Sequence, residues 1–328
     1  MGRNSNSLQH ELLRKVLPDI KNNKTSTAYK RHIKNFAKWA KGNGYKKPES
    51  ITVEVIQEYE NYLENDPRNY SPSTIHTYIA PVCSAAGVSM DKIRKPKRSA
   101  RSITRGRERN TDGQPIAQNL QGRRQEKDPK YERLVALQAV LGIRRNELRH
   151  LVGADLINRG KSCYVRVRRG KGGKEQYQYI LPKDAETVRQ IFSGVGPEQR
   201  VFSNEETNNK INLHGLRAKH GKDCYNYYAE MLERDPAAAE QLRALLLRRW
   251  DKGHEKLKNE NPKAWAFQRA RFISDMDDRP YKLRGDNLRK AQALGLPEEY
   301  NRLALMLVSV LHLSHWRLDV TATNYLIQ

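Results

Sequence analysis

The chain has 328 residues, and its 61 Lys and Arg residues against 37 Asp and Glu residues give a formal net charge of +24 at pH 7. Such an excess of positive charge requires a polyanionic partner, and nucleic acid is the obvious one. No apolar run approaches the ~18 residues that suggest a membrane-spanning helix, and the first residues do not form a signal-peptide pattern. We therefore expect a soluble, cytoplasmic protein that binds nucleic acid with a strong dependence on salt.

The cysteines Cys83, Cys163 and Cys224 are odd in number, far apart and without the spacing of metal ligands. Neither a disulfide framework nor a zinc site is predicted from them. We interpret all three as reduced structural thiols. The length of the chain allows two domains, each with an adequate core.

Residues 1–90 predict a small helical domain. Apolar residues recur at helical spacing from Tyr29 to Ala40, and Gly42-Asn43-Gly44 ends that helix. A second helix is predicted after Ile51-Thr52, and Ser71-Pro72-Ser73 forms the turn into a third. Basic residues on the outer face of the first helix either follow a DNA backbone or form an ordinary solvated face.

Residues 91–128 predict a basic interdomain linker, because apolar periodicity disappears there while basic residues accumulate. A segment of this kind is usually disordered when free, but between two DNA-binding lobes it would follow phosphates and become ordered on binding. The candidate DNA-binding residues in it are Lys92, Arg94, Lys95, Lys97, Arg98, Arg101 and Arg105.

Residues 129–328 predict a second domain, mainly helical with a small β-hairpin. Its first helix breaks at Gly142 and restarts at Arg144, so Arg144 lies near a helix start. Apolar and polar residues alternate on both sides of Gly170-Lys171-Gly172-Gly173, which is typical of a hairpin with a glycine-rich turn. Lys171 is predicted at the tip of that hairpin.

Each chemically active group in this domain is weak evidence by itself. The glycines around Lys171 fail the phosphate-loop pattern, which needs a longer spacing and Ser or Thr after its lysine, so no nucleotide cofactor is predicted. A lone histidine such as His214 or His315 is more often structural than catalytic. Tyr325 alone would be an ordinary packed aromatic residue.

Taken together and in this order, the motifs resemble those of the tyrosine recombinase, or phage integrase, family. The matching residues are Gly142-Ile143-Arg144 with Glu147, Lys171, His214 and Arg217, Leu313-Ser314-His315, and Tyr325. The resemblance covers essentially the whole chain. It implies an α+β fold with an N-terminal helical SAM-like core-binding domain and a mainly helical catalytic domain that contains a small β-sheet.

The resemblance implies a site-specific recombinase that cleaves and rejoins DNA strands, integrating or excising a mobile element. Tyr325 would be the nucleophile and would carry a 3′-phosphotyrosyl bond, while Lys171 would protonate the departing 5′ oxygen. The reaction would need no metal, no ATP and no other cofactor.

The remaining groups would stabilise the phosphate. Arg144 and Arg217 would bind its oxygens, because guanidinium groups match them bidentately and stay charged. His214 and His315 would add hydrogen bonds, and His214 is a candidate to take the proton of the tyrosine. Glu147 is interpreted as the group that orients Arg144.

The partners implied by the resemblance are double-stranded DNA recombination sites and further copies of the same chain, assembled as a tetramer on that DNA. Accessory DNA-bending proteins are additional candidate partners. The resemblance places the protein in the bacterial cytosol or nucleoid, and no membrane partner is expected.

Departures from the family pattern leave alternatives open. The interval between Arg217 and His315 is several times the usual one, so about 226–301 is interpreted as an inserted helical module. For the same reason the Tyr281 to Arg284 segment is an alternative candidate for the motif assigned to His214 and Arg217. His312 competes with His315, and Ala218 stands where a second histidine is common. A type IB topoisomerase-like enzyme and a DNA-binding protein without catalysis also remain open.

Overall fold

The computed structural model describes residues 7–68, 70–94, 117–160, 162–170 and 175–327. The chain divides into two compact units, Met1–Arg107 and Glu108–Gln328, and the boundary falls inside the predicted linker. Its described part is mostly helical with two small antiparallel sheets. The α+β class, with a helical N-terminal domain, is therefore confirmed. None of the described helices is both long and apolar enough to cross a membrane.

The described part of the first unit contains four α-helices. These are α1 (Leu8–Val16), α2 (Asn23–Gly42), α3 (Val53–Glu64) and α4 (Pro72–Ala86). Ser71 caps α4 by accepting a hydrogen bond from the Thr74 amide, and α4 ends at Gly87, whose φ of 68° favours glycine. The predicted helix end at Gly42 and the predicted helix starts after Thr52 and Ser71 are thus present.

One apolar core holds these four helices together. Its largest fully buried side chains are Leu12, Ile33, Phe36, Ile56 and Ile75. Each such side chain contributes about 1.5–3 kcal/mol when it leaves water. Packing of the apolar helix faces, rather than helix propensity, therefore stabilises this unit.

Arg94 lies at the start of the predicted linker and binds α3. Its Nη2 donates to Glu60 at 3.1 Å, to Glu64 at 2.5 Å and to Asn61 at 2.8 Å. The Glu60 side chain is fully buried, and burial raises the pKa of its carboxyl while the charge of Arg94 opposes that rise. Arg94, which we expected to contact DNA, therefore has an internal structural role in the free protein.

We expect Arg94→Ala to loosen the first unit. The substitution would leave the Glu60 carboxylate buried without its cation, at a cost of about 1–2 kcal/mol in unfolding free energy. This cost is lower than that of breaking a fully buried ion pair, because half of the Arg94 side chain is exposed. Amide hydrogen exchange of α3, followed by mass spectrometry, should accelerate. The control Lys92→Ala removes an exposed lysine two residues earlier and should leave that exchange unchanged.

The predicted DNA contacts of the linker fall mostly outside the described residues. Lys92 ends a short 3-10 helix, Met90–Lys92. The candidates outside the described residues are Lys95, Lys97, Arg98, Arg101 and Arg105.

Helix α5 (Ala117–Glu126) lies within the segment predicted as linker. Its sequence has one large apolar residue and hence no apolar face, so periodicity did not predict it. The Gln125 side chain accepts from the Lys210 amide at 2.6 Å, and Gly122 approaches the Lys210 carbonyl too closely for a Cβ. These contacts explain why α5 belongs to the second unit.

Helix α6 (Glu132–Leu141) ends at Gly142, and α7 (Arg145–Leu148) follows with Arg144 as its N-cap. Gly142 has a φ of 59°, the left-handed conformation that favours glycine at a helix end. The predicted break and restart are both present.

Three strands follow in the order β1 (Leu156–Arg159), β2 (Ser162–Val167) and β3 (Gln176–Ile180), all antiparallel. Val167 pairs with Gln176, so β2 and β3 form the predicted hairpin. Its tip, including Lys171, lies outside the described residues.

The rest of the second unit is helical apart from a two-stranded sheet. The helices are α8 (Ala185–Phe192), α9 (Asn204–Thr207), α10 (Leu213–Arg234), α11 (Ala238–Gly253), α12 (Glu255–Glu260), α13 (Pro262–Ser274), α14 (Gly285–Ala293), α15 (Arg302–Leu307) and α16 (Leu318–Thr321). Strands β4 (Tyr281–Lys282) and β5 (Glu299–Tyr300) pair with each other. A first π-helix (Val308–His312) continues α15, and a second π-helix (Ala322–Leu326) continues α16.

The segment interpreted as an inserted module shares a core with the end of the chain. Trp250 on α11 and Phe272 on α13 are buried in the same apolar cluster as Leu305 and Tyr325. A second cluster of this unit, around Leu134, joins α6, α8 and the three-stranded sheet.

Candidate active site

Two buried glutamines join the segments that carry the sequence motifs. The Gln138 amide donates to the carbonyls of Ile143 and Leu213, each at 2.8 Å. Gln178 on β3 accepts from the Ser314 hydroxyl at 3.2 Å. Because a buried polar group without its partner costs about 1–3 kcal/mol, these bonds fix the loop after α6, the start of α10 and the segment after the first π-helix against one another.

Arg217 lies where those three segments meet. It is only 3% exposed. Its guanidinium donates to the carbonyl of Gly142, to the carbonyl of Leu313 at 2.7 Å and, through Nε, to the Tyr325 hydroxyl at 3.2 Å. Burial lowers the pKa of Arg217 from its ordinary high value, yet an arginine stays charged at neutral pH. A buried cation therefore faces the tyrosine hydroxyl.

Tyr325 is positioned on the second π-helix among three of the predicted groups. The ring of His315 stacks on it with centroids 5.7 Å apart, and the ring of His214 lies 6.0 Å away. The backbone of Gly221 on α10 packs so closely that a Cβ there would lie 3.4 Å from the Cβ of Tyr325. The structure thus brings Arg217, His214, His315 and Tyr325 into one cluster.

Arg144 and Glu147 form an ion pair at the start of α7. Glu147 accepts from the Arg144 amide at 2.7 Å and from Arg144 Nη1 at 2.8 Å. The Glu147 side chain is buried, whereas that of Arg144 is 31% exposed. Glu147 therefore caps the helix and holds the guanidinium by one edge. Arg144 also lowers the pKa of His315, which indicates that its charge acts on the cluster.

Arg145 supports the loop before α10, and the sequence did not indicate this role. Its Nη1 donates to the Thr207 carbonyl at 3.2 Å and to Asn209 Oδ1 at 2.8 Å, and its Nη2 donates to the Ile211 carbonyl at 2.6 Å. Burial lowers the pKa of Arg145. This arginine fixes the loop that leads into α10. No sequence signal distinguished it from Arg144, because both stand in the same Arg-Arg pair.

His315 is bonded on one side of its ring. Its Nδ1 lies 3.1 Å from the Ser309 hydroxyl, which also accepts from the Arg317 amide at 2.7 Å. Nε2 is buried and has no hydrogen-bond partner among the described residues. Burial, and then the charges of Arg217 and Arg144, lower the pKa of His315 to about 3. The imidazole is therefore neutral at pH 7, and Ser309, also missed from the sequence, orients it.

We expect the neutral state of His315 to make folding stability depend on pH. Its folded pKa of about 3 lies below the ordinary value of 6.5, so the unfolded chain binds this proton more readily. The contribution is complete above pH 6.5 and is lost as the pH falls towards 3. Because one pKa unit corresponds to about 1.4 kcal/mol, His315 alone should lower the free energy of unfolding by about 2 kcal/mol between pH 6.5 and pH 5.

Urea unfolding of His315→Gln at pH 7 and pH 5 measures this contribution. The variant should lose less stability on acidification than the unsubstituted chain. His76→Gln, at an exposed position on α4, serves as the control and should keep the full pH dependence. Equal pH dependence in the unsubstituted chain and His315→Gln would contradict the prediction.

His312 and His315, the two candidates for the histidine that precedes Tyr325, occupy different places. His312 is fully buried, and its Nε2 lies 3.0 Å from the Tyr228 hydroxyl. The ring stacked on Tyr325 is that of His315. The geometry thus joins His315, and not His312, to the tyrosine cluster.

The competing second motif also lies apart from the contacts of Tyr325. Tyr281 is on β4 opposite Tyr300, and Arg284 is the N-cap of α14. Both line a surface pocket with Arg302. Among the described residues, the arginine bonded to Tyr325 is Arg217.

A protein-family model described as a phage integrase SAM-like domain matches residues 9–87. Among solved structures, the crystal structure of XerA recombinase is similar over 66% of this chain and 82% of that chain, with 19% sequence identity and a TM-score of 0.24. No curated protein sequence matches the chain.

Proposed function

We propose that this chain cleaves and rejoins DNA through a phosphotyrosyl bond at Tyr325. The premise is that the SAM-like domain supports membership of the tyrosine recombinase and integrase family. One observation carries the proposal. The Tyr325 hydroxyl accepts from buried Arg217 at 3.2 Å, and the centroid of the Tyr325 ring lies 5.7 Å from that of His315 and 6.0 Å from that of His214. A tyrosine that served only to fill a core would not need a buried cation and two imidazoles around it.

The charge of the cluster supports a phosphodiester as its substrate. Arg144 and Arg217 are cations, and Glu147 is paired with Arg144. Two guanidinium groups and one carboxylate leave one net positive charge. The single negative charge of a phosphodiester would neutralise it, and this would offset the cost of keeping Arg217 buried.

Unused hydrogen-bond donors support the same substrate. A guanidinium has five N–H donors, and three of those on Arg217 bind Gly142, Leu313 and Tyr325. Two remain for phosphate oxygens. In the same cluster, His315 Nε2 is a buried nitrogen that has no hydrogen-bond partner among the described residues, so it is also available to a phosphate oxygen.

In this scheme, Ser309 determines which ring nitrogen of His315 carries the proton. Its hydroxyl accepts from the Arg317 amide and has the His315 Nδ1 as its nearest acceptor. If the hydroxyl donates to Nδ1, the ring proton is on Nε2. Neutral His315 would then donate a hydrogen bond to a non-bridging phosphate oxygen, where charge builds up in the transition state.

The proposed reaction is a displacement at phosphorus. The oxygen of Tyr325 bonds to the scissile phosphorus and the bond from phosphorus to the 5′ oxygen breaks. His214 takes the phenolic proton, and Lys171 gives a proton to the 5′ oxygen. Because the new ester keeps the energy of the old one, a 5′ hydroxyl of another strand reverses the step without ATP.

The wider biological role rests on the same premise. We propose that the substrate is double-stranded DNA at recombination sites of a mobile element, and that copies of this chain assemble there as a tetramer. The net charge of +24 supports the DNA partner. Lys92 and the linker residues Lys95, Lys97, Arg98, Arg101 and Arg105 remain proposed backbone contacts.

A nicked suicide DNA, drawn from the ends of the element that encodes the chain, tests the reaction. The expected result is an adduct that survives denaturation and disappears after protease digestion, formed without ATP. Tight, salt-sensitive binding of the same DNA without an adduct would replace the proposal with DNA binding alone. Relaxation of supercoiled DNA that lacks any such site would replace it with a topoisomerase.

A further inference from the structure

Three buried side chains with metal-binding atoms meet beside the candidate active site. His220 and Cys224 are one turn apart on α10, and His312 ends the first π-helix. One ligand atom of each lies within 4.8 Å of the others. Each of the three residues is no more than 2% exposed. Among the described residues, no other set of three histidines, cysteines or carboxylates is grouped in this way.

The hydrogen bonds of the two rings leave one nitrogen of each available. His220 Nδ1 lies 3.1 Å from the Ala139 carbonyl, so this nitrogen carries the proton and Nε2, 3.5 Å from Cys224 Sγ, has a lone pair. His312 Nε2 lies 3.0 Å from the Tyr228 hydroxyl. His312 Nδ1 is fully buried and has no partner among the described residues. A metal-ligating histidine is typically held in this way by its other ring nitrogen.

The donor atoms select the class of ion. Two imidazoles and a thiol suit a borderline-soft ion such as Zn²⁺, whereas Mg²⁺ and Ca²⁺ require oxygen ligands. Burial lowers the pKa of His220 to about 4 and also lowers that of His312, so both rings are neutral and able to coordinate. Burial raises the pKa of the Cys224 thiol, so metal binding would release its proton to solvent.

We propose that His220 Nε2, Cys224 Sγ and His312 Nδ1 bind one structural Zn²⁺, with a water in the fourth tetrahedral position. The orphaned His312 nitrogen is the observation that favours an ion over a hydrogen-bonded network, since a buried nitrogen without a partner is costly. The proposal concerns the packing beneath the cluster and assigns the ion no step of the DNA reaction. It does not depend on the proposed function.

The ion would brace all three segments of the candidate active site. The His220 ring packs on Gly142, where a Cβ could not fit, and Gly142 leads to Arg144. His220 is also three residues after Arg217 on α10. His312 precedes Leu313, whose carbonyl accepts from Arg217. Zinc would therefore hold the loop after α6 and the first π-helix to one face of α10.

The test measures metal in the full chain. Protein refolded with Zn²⁺ or Co²⁺ and then passed through a chelating column should retain one metal per chain, and the cobalt form should show thiolate-to-cobalt charge-transfer absorption. Zinc at about 100 times its Kd should raise the folded-to-unfolded ratio roughly 100-fold. Cys224→Ala should lose the retained metal and the charge-transfer band.

Two further variants make the result specific. Cys163→Ala removes another buried cysteine of the same unit, on β2, and should retain the metal. Tyr228→Phe removes only the partner of His312 Nε2 and should weaken metal binding roughly 10- to 100-fold. Folding of each variant is checked by its circular dichroism, so that loss of metal is not mistaken for loss of structure.

Either of two outcomes would overturn the proposal. One is an unsubstituted chain that retains no metal and whose urea unfolding is unaffected by zinc, which would leave a buried hydrogen-bonded network only. The other is equal retention by Cys224→Ala and the unsubstituted chain, which would place the metal elsewhere. Neither outcome affects the adduct assay, so failure of this proposal and failure of the proposed function are distinguishable.

Discussion

Replacing Tyr325 with phenylalanine should abolish the covalent adduct with suicide DNA. The substitution removes the oxygen that would bond to phosphorus and leaves the ring next to His214 and His315. Loss of a nucleophile of this kind lowers the rate by at least about 10⁴-fold. The lost hydrogen bond to buried Arg217 should cost about 1–3 kcal/mol of stability. Adduct formation in a single turnover, quantified on a denaturing gel, measures the effect.

Tyr281→Phe is the matched control for this experiment. Tyr281 is the other tyrosine beside an arginine that the sequence proposed for the site, and it also lies partly buried in the second unit. This variant should form adduct at the unsubstituted rate, and both variants should bind DNA equally well. An adduct that persists in Tyr325→Phe and vanishes in Tyr281→Phe would transfer the nucleophile to Tyr281.

Much of the fold was predictable because local chemistry fixes it. Gly142 ends a helix in the left-handed conformation, which a side chain disfavours, and Thr52 and Ser71 precede helices that begin where predicted. Helix α5 was not predictable in this way. It has no apolar face, and its place depends on a close backbone approach at Gly122 and a bond from Lys210.

In the candidate site, too, the residues that belong to sequence motifs were predictable and the residues outside those motifs were not. His315 and Tyr325 were singled out because they resemble family motifs. Ser309 and Arg145 were not, because Ser309 contacts the His315 ring and the Arg317 backbone across a turn, and Arg145 binds backbone carbonyls distant in sequence. Such contacts leave no periodic signal. Ser314 lies inside a motif, but its backbone conformation was not predictable from the sequence. Its φ of 52° is the left-handed conformation that glycine adopts most easily.

The three cysteines show where sequence spacing gives an incomplete answer. The spacing of the cysteines alone shows no metal-ligand pattern. The structure places Cys224 beside histidines, one of them a helical turn away at His220 and the other 88 positions along the chain at His312. Only the first of those neighbours is visible as a local pattern.

Arg217→Lys should lose both cleavage and stability. A lysine keeps the charge but replaces the planar guanidinium with a compact ammonium, which cannot bind Gly142, Leu313, Tyr325 and a phosphate together. At least one buried carbonyl would lose its partner, at a cost of about 1–3 kcal/mol. The single-turnover rate of adduct formation should fall by about 10²- to 10³-fold or more. Urea unfolding and the adduct assay measure the two effects separately.

Arg144→Lys provides the contrast that separates chemistry from packing. The Arg144 side chain is 31% exposed and its side-chain partner is Glu147, with which a lysine also forms an ion pair. Stability should therefore change by less than about 1 kcal/mol, while adduct formation should fall as it does for Arg217→Lys, because bidentate phosphate binding is lost in both. If Arg217→Lys lost stability but kept the unsubstituted cleavage rate, Arg217 would be a packing residue, and the phosphate would have to be bound without it.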